Sequence, residues 1–155
     1  MKRFLAVITA VVIMAWSLSC FGAGSCVQTG STERIQVTGG LERRYVTLTC
    51  TGDGTITAYS FDPAVFGVRG WYLYNVTTDP GASAPTAAYD ITLVAAGEDV
   101  AGGKLADRSA TATETVLIAP STQGYHMTDA AFAITFANQT ANPSTIVLKL
   151  RFTNN

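Results

Sequence analysis

Histidine is almost missing from this chain: its 155 residues contain one, His126. A zinc site drawing on His126 and the few cysteines has too few ligands. A Ser–His–Asp set can be assembled only on paper, from His126, Asp129 and any of many serines, with no G-x-S-x-G elbow to fix it. His126 reads as a plain surface residue beside Gly124 and Thr128, and the chain as no enzyme and as needing no cofactor or metal. Cysteine is also sparse, at three residues with no C-x-x-C spacing, which argues against a reactive dithiol. Charged residues make up only 14%. Beyond Lys2 and Arg3 at the N-terminus, the basic ones stand singly except for the pair Arg43 and Arg44, so no basic run is available to track phosphates, and nucleic acid is excluded as a partner. The only long apolar run is at the N-terminus, and it is shorter than the roughly 20 residues that span a bilayer.

Apolar residues, by contrast, reach 48%, enough for one domain with a substantial core. Thr, Ala, Gly and Val dominate, while the Lys and Glu of a helical surface are few, a balance that favours strands and turns. Lys2 and Arg3, the apolar stretch 4–16 and the small residues that follow have the form of a secretory signal peptide. Cleavage after Gly24 puts small residues at −1 and −3 (Gly24 and Gly22). A lipoprotein leader would instead end before Cys20, with Ser17 where such a signal usually has Leu. The expected organisation is a signal peptide over 1–24 and a single β-sandwich domain over 25–155. Loss of Lys2 and Arg3 leaves eight basic against eleven acidic residues, a net charge of −3. The expected location is the periplasm or the exterior, with membrane attachment only if the leader is retained or Cys20 is lipidated. Cys26 and Cys50 remain after any of these cleavages, and an oxidising compartment lets them pair. Their loop of about 25 residues is worth on the order of 3 kcal/mol.

Alternation of apolar and polar residues marks the strands. In 34–38, Ile35 and Val37 share a face. In 44–50, Val46, Leu48 and Cys50 face the core, and Tyr45, Thr47 and Thr49 face away. Gly52-Asp53-Gly54 then predicts a hairpin between 44–50 and 55–61. Over 68–77, Val68, Tyr72, Tyr74 and Val76 share one parity, Trp71 and Leu73 the other. Residues 79–86 form a proline-bearing elbow fit to pass between sheets. In 88–94, Tyr89, Ile91 and Leu93 point inward. After a turn at 96–99 come a glycine-broken stretch (100–106), a polar run (108–114) and a loop (121–128). Phe132, Ile134 and Phe136 share a face in 130–137, as do Ile146, Leu148, Leu150 and Phe152 in 145–153, and these two are expected to pair as an antiparallel hairpin. The pattern predicts an all-β, antiparallel sandwich or jelly-roll-like barrel of seven or eight short strands.

The middle of the chain also carries an ordered set of motifs. Gly70, Leu73, Val76, Thr78, Pro80 and Gly81 are followed by Ala84-Pro85-Thr86, Tyr89-Asp90-Ile91 and Leu93. Then come Gly97, Asp99-Val100, Gly102-Gly103, Leu105, Arg108-Ser109, Thr111, Thr113 and Glu114. This series resembles small phage and prophage virion-associated β-proteins, whose pattern has an acid where Ala96 stands here. The resemblance extends over about 68–152 and implies a structural or accessory role on a virion: decoration, head–tail joining or tail. A leader and a disulfide are unusual for such proteins, so an exported, host-encoded relative is the other reading.

Two sets of candidate site residues follow. Trp71, Tyr72 and Tyr74 could form a surface contact for protein partners, self-assembly or a glycan, although aromatics in this number also serve as core and sheet surface. Asp90, Asp99 and Arg108 could form a small polar site, with Asp99, Glu98 and turn carbonyls around Ca²⁺. Their simpler role is turn and loop chemistry. The expectation is therefore a non-enzymatic structural or accessory protein, the alternative being a secreted bacterial module that binds glycans or cell-surface partners.

Overall fold

A computed structural model describes residues 24–29, 33–36, 42–52, 56, 58–118, 125–127, 131–141 and 143–154. The leader expected over 1–24 and its rival ending at Cys20 lie outside these residues, apart from Gly24. Eleven strands are described: β1 (Ser25–Gln28), β2 (Glu33–Gln36), β3 (Glu42–Gly52), β4 (Tyr59–Phe61), β5 (Tyr72–Pro80), β6 (Asp90–Ala95), β7 (Glu98–Asp99), β8 (Glu114–Leu117), β9 (Tyr125–His126), β10 (Phe132–Ala137) and β11 (Ser144–Thr153). The protein is all-β, with two antiparallel sheets packed as a sandwich. The count exceeds the predicted seven or eight because short edge segments form strands of their own. Thus β1 falls in a stretch whose composition reads as loop, and β9 within the loop at 121–128.

In the larger sheet the order is β1-β3-β11-β5-β8, with β2 also on β3 and β9 also on β5. β1 and β2 occupy successive parts of one edge of β3, at Leu48–Thr51 and Glu42–Tyr45. The smaller sheet runs β4-β10-β6-β7. Side chains of inward parity make the core. Val46, Leu48 and Cys50 of β3 and Ile146, Leu148, Leu150 and Phe152 of β11 are fully buried, as alternation predicts. From the smaller sheet they meet Phe61, Ile91, Leu93, Phe132 and Ile134. Phe61 stacks on Phe66 at 4.4 Å, Phe132 at 4.7 Å and Phe152 at 5.7 Å, the last contact crossing between sheets. Each such side chain contributes about 1.5–3 kcal/mol by burial.

Two predicted hairpins do not form. β10 pairs with β4 and β6, whereas β11 pairs with β3 and β5, so consecutive strands enter opposite sheets. β3 and β4 are likewise split between sheets. Alternation reports which face is buried, and two strands that bury one face can satisfy it side by side or across the core. The elbow does pass between sheets, from β5 to β6. Pro80 ends β5, and Gly81 donates its N–H to the Thr145 carbonyl at 2.9 Å. A Cβ on Gly81 would sit 2.4 Å from the Thr145 methyl, so this crossing needs glycine.

Cys26 and Cys50 are bonded to each other, directly opposite in the β1–β3 ladder. Cys50 is fully buried and Cys26 nearly so. The bond fixes a four-residue strand that, among the described residues, has β3 as its one ladder partner. Replacing both cysteines by alanine should lower stability by about 2–5 kcal/mol, read from denaturant unfolding. Reductant added to the native protein should have little effect on this bond until the fold opens; a thiol probe that labels both cysteines without denaturant would contradict the sheltered position.

Candidate functional site

The outward parity of β3, β11 and β5 builds one continuous face on the larger sheet. Thr47, Lys149, Thr77 and Thr115 lie in one register row, and Tyr45, Arg151, Asn75 and Leu117 in the next. The Thr77 and Thr115 hydroxyls hydrogen-bond at 2.8 Å, and those of Thr29 and Thr49 at 2.7 Å. On the other sheet Thr92 bonds Thr135 in the same way. Cross-strand pairs of this kind contribute roughly 0.2–1 kcal/mol each, which gives the abundant threonines a structural use.

Of the predicted contact residues, Tyr72 and Tyr74 are half-buried on β5. Alternation groups Tyr74 with Val76, but the structure separates them. Arg151 pairs with Asn75 while Phe152 pairs with Leu73, a bulge that leaves Tyr74 as the extra residue. Leu73 and Val76 therefore both reach the core, and Tyr74 stays outside under the Arg151 guanidinium, 4.4 Å from the ring centroid. Lys149 lies over Tyr45 at 4.8 Å. Trp71 has a different role. It packs against the core with Arg44 5.2 Å above it, and Arg44 donates to the Phe66 and Gly67 carbonyls at 2.9 and 2.7 Å. Trp71 thus packs on the core side with Arg44 and is separate from the Tyr45–Tyr74 face.

Sequence reasoning missed Tyr45, Lys149 and Arg151 as a group. Their outward parity was legible, but only the strand order β3-β11-β5 brings them together.

The motif acids are engaged in holding loops. Asp99 Oδ1 accepts the Leu93 and Ala101 N–H groups, each at 3.1 Å, and Oδ2 accepts that of Gly103 at 2.8 Å. Asp90 accepts the Asp107 N–H at 2.8 Å and the Asn138 side-chain amide at 2.6 Å. Arg108 lies 3.5 Å from Glu114 and donates through Nε to the Ala106 carbonyl at 3.2 Å. Glu114 also accepts the Ser109 N–H at 2.8 Å, Ser109 Oγ accepts from Thr111 and Ala112, and Thr113 donates to Asp79 at 2.9 Å. Asp90, Asp99 and Arg108 thus do not converge on a ligand, and Asp99 has its carboxylate filled by backbone donors. Beneath this loop system Tyr89 is fully buried, its hydroxyl and that of Thr78 making no well-formed hydrogen bond. Burial pushes the Tyr89 phenol above its ordinary range, against the opposing effects of Thr78 and Arg108.

No protein-family model matches the chain, and no curated protein matches it. Among solved structures, a chain of the cyanophage Pam1 capsid asymmetric unit aligns at a TM-score of 0.43 and 17% identity, covering 82% of this chain and 98% of that one. A low-affinity xylan-binding module from the gut symbiont Roseburia intestinalis aligns at a TM-score of 0.28 and 14% identity, covering 86% and 96%.

Three predictions concern these loops. Ala96 and Gly97 join β6 to β7 with φ of 51° and 86°, a two-residue turn needing left-handed backbone at both positions. Ala96→Asn should therefore stabilise the protein by about 0.5–1 kcal/mol in chemical unfolding, since Asn adopts this conformation more readily than Ala. Asp99→Ala should destabilise it by about 2–4 kcal/mol, because three backbone donors lose one charged acceptor. Thermal melts of the wild type with Ca²⁺ and with chelator should superpose; a calcium-dependent rise in Tm would restore the metal reading.

Proposed function

We propose that this protein is a non-enzymatic structural or accessory component of the phage-virion kind, acting through its surface and through contacts between copies. The observation that carries this reading is the use made of the motif shared with virion-associated proteins. Asp90, Asp99, Ser109 and Glu114 each accept backbone or amide hydrogens that hold a loop in place. General acid–base chemistry needs an acceptor within reach of substrate, and these carboxylates are already committed. The motif is thereby a recipe for a rigid scaffold. The Cys26–Cys50 bond supports passage through an oxidising compartment, and with it the exported variant of this role.

Glycan binding is the second reading, favoured by the hydroxyl-lined face that holds Tyr45 and Tyr74. Within it Trp71 has no part, because it packs on the core side with Arg44.

Sedimentation of the mature chain over a wide concentration range tests the assembling role. Concentration-dependent oligomers are expected, and electron microscopy should show regular assemblies at the upper end. A chain that remains monomeric at the highest attainable concentration overturns it.

A further inference from the structure

The basic residues are scattered in sequence, with Arg43 next to Arg44 and Lys149 and Arg151 far from them, yet Arg43, Lys149 and Arg151 share the outer face of the larger sheet. Lys149 and Arg151 alternate along β11, about 7 Å apart at two residues per strand repeat. Arg43 shares their outward parity on β3, opposite Thr153 in register. Among the described residues none of the three has a carboxylate partner: the charged groups of Lys149 and Arg151 lie over tyrosine rings, and Arg151 Nε is buried without an acceptor. This is unusual in a chain with more acids than bases. The acids in register with this face stand at its margins: Glu33 on β2 opposite Tyr45, and Asp79 on β5 opposite Val147, where it accepts the Thr113 hydroxyl.

We propose that this face binds a carboxylated polysaccharide, a chain of uronic-acid type. A guanidinium stacked on a ring keeps its N–H edge free in a fixed plane, suited to taking a carboxylate in bidentate fashion. Tyr45 and Tyr74 supply flat apolar surface beside the cations, and Thr47, Thr77, Thr115 and Asn75 supply hydroxyl and amide groups for sugar hydroxyls. Three well-spaced cations suit a polymer with one charge per sugar and are too few for densely charged phosphate chains. A second copy of this chain is the less suitable occupant. Interface cores are apolar and depleted of charge, whereas here the exposed apolar residues Val27, Ile35 and Leu117 sit on the strands flanking β3, β11 and β5. This inference goes beyond the assembling role and stands without it.

The test is affinity electrophoresis and calorimetry of the mature protein with polygalacturonate, its fully methyl-esterified form, and polyphosphate. Binding to polygalacturonate is expected, falling steeply between about 50 mM and about 500 mM salt, with little binding to the neutral ester. The double variant Lys149→Gln/Arg151→Gln should bind at least about tenfold more weakly, from the loss of charge-assisted bonds. Arg151→Lys should recover only part of it, since the amine lacks the planar fork. Tyr74→Leu should weaken polygalacturonate binding, and unchanged thermal melts will show that each variant folds. Equal binding to the ester, or polyphosphate binding at least as tight as polygalacturonate and indifferent to Tyr74→Leu, overturns the proposal. So does the absence of binding, whether or not sedimentation shows oligomers; oligomers abolished by the same double variant would assign the face to a second copy.

Discussion

The sandwich depends on β11, the central strand of the larger sheet. It pairs with β3 over all ten of its residues and with β5 over nearly the same length. Its inward side chains are fully buried and its outward ones carry Lys149 and Arg151. Among the described strands, β3 and β5, far apart in sequence, have no direct ladder between them and are held in one sheet through β11. The larger sheet therefore cannot close before β11 is present, and its central pairings are all long-range, a topology that slows folding. The disulfide acts at the far edge of the same sheet, fastening β1 to β3 rather than joining the two layers.

The faces of the strands could be read directly from the residues. Val46, Leu48 and Cys50, or Ile146 through Phe152, alternate without interruption, and each inward residue is buried. Partners could not be read in this way. The turn at 138–144 looks like a hairpin connection, with Asn142-Pro143 between two strong strands, yet Thr86 and Gln139 tie that turn to the elbow and send the chain into the other sheet. Those bonds link positions more than fifty residues apart, beyond the reach of local propensity. The bulge at Tyr74 was hidden for a related reason: an extra residue in β5 is defined only against Arg151 and Phe152 of its partner.

The stretch 68–120 is rich in pattern because its loops are demanding. Gly81 must let β11 approach, Ala96-Gly97 must turn through left-handed backbone, and Asp99 must gather three N–H groups. Such requirements leave recognisable residues at fixed spacing, as a catalytic motif would. The distinction comes from where the polar atoms point: here they are turned into the backbone. Sequence motifs alone do not separate a demanding loop from a reactive site, since both select Asp, Gly, Ser and Arg.

Surfaces that act by contact leave the weaker trace. Arg43, Tyr45, Tyr74, Lys149 and Arg151 come from three strands, and no two except the strand neighbours are close in sequence. Net charge gives no warning either, because a sum of −1 over the chain says nothing about its distribution. What decides the local field is separation on the scale of a Debye length, about 8–10 Å in physiological salt. Near Arg151 the sheet register places Lys149 and Tyr45, with Glu33 one strand further out opposite Tyr45, and Glu98 and Asp99 belong to the other sheet. A weakly acidic protein can in this way carry cations side by side, provided its strand order keeps acids off the central strand. That separation follows from β11 itself, whose outward positions hold both Lys149 and Arg151 and no acid.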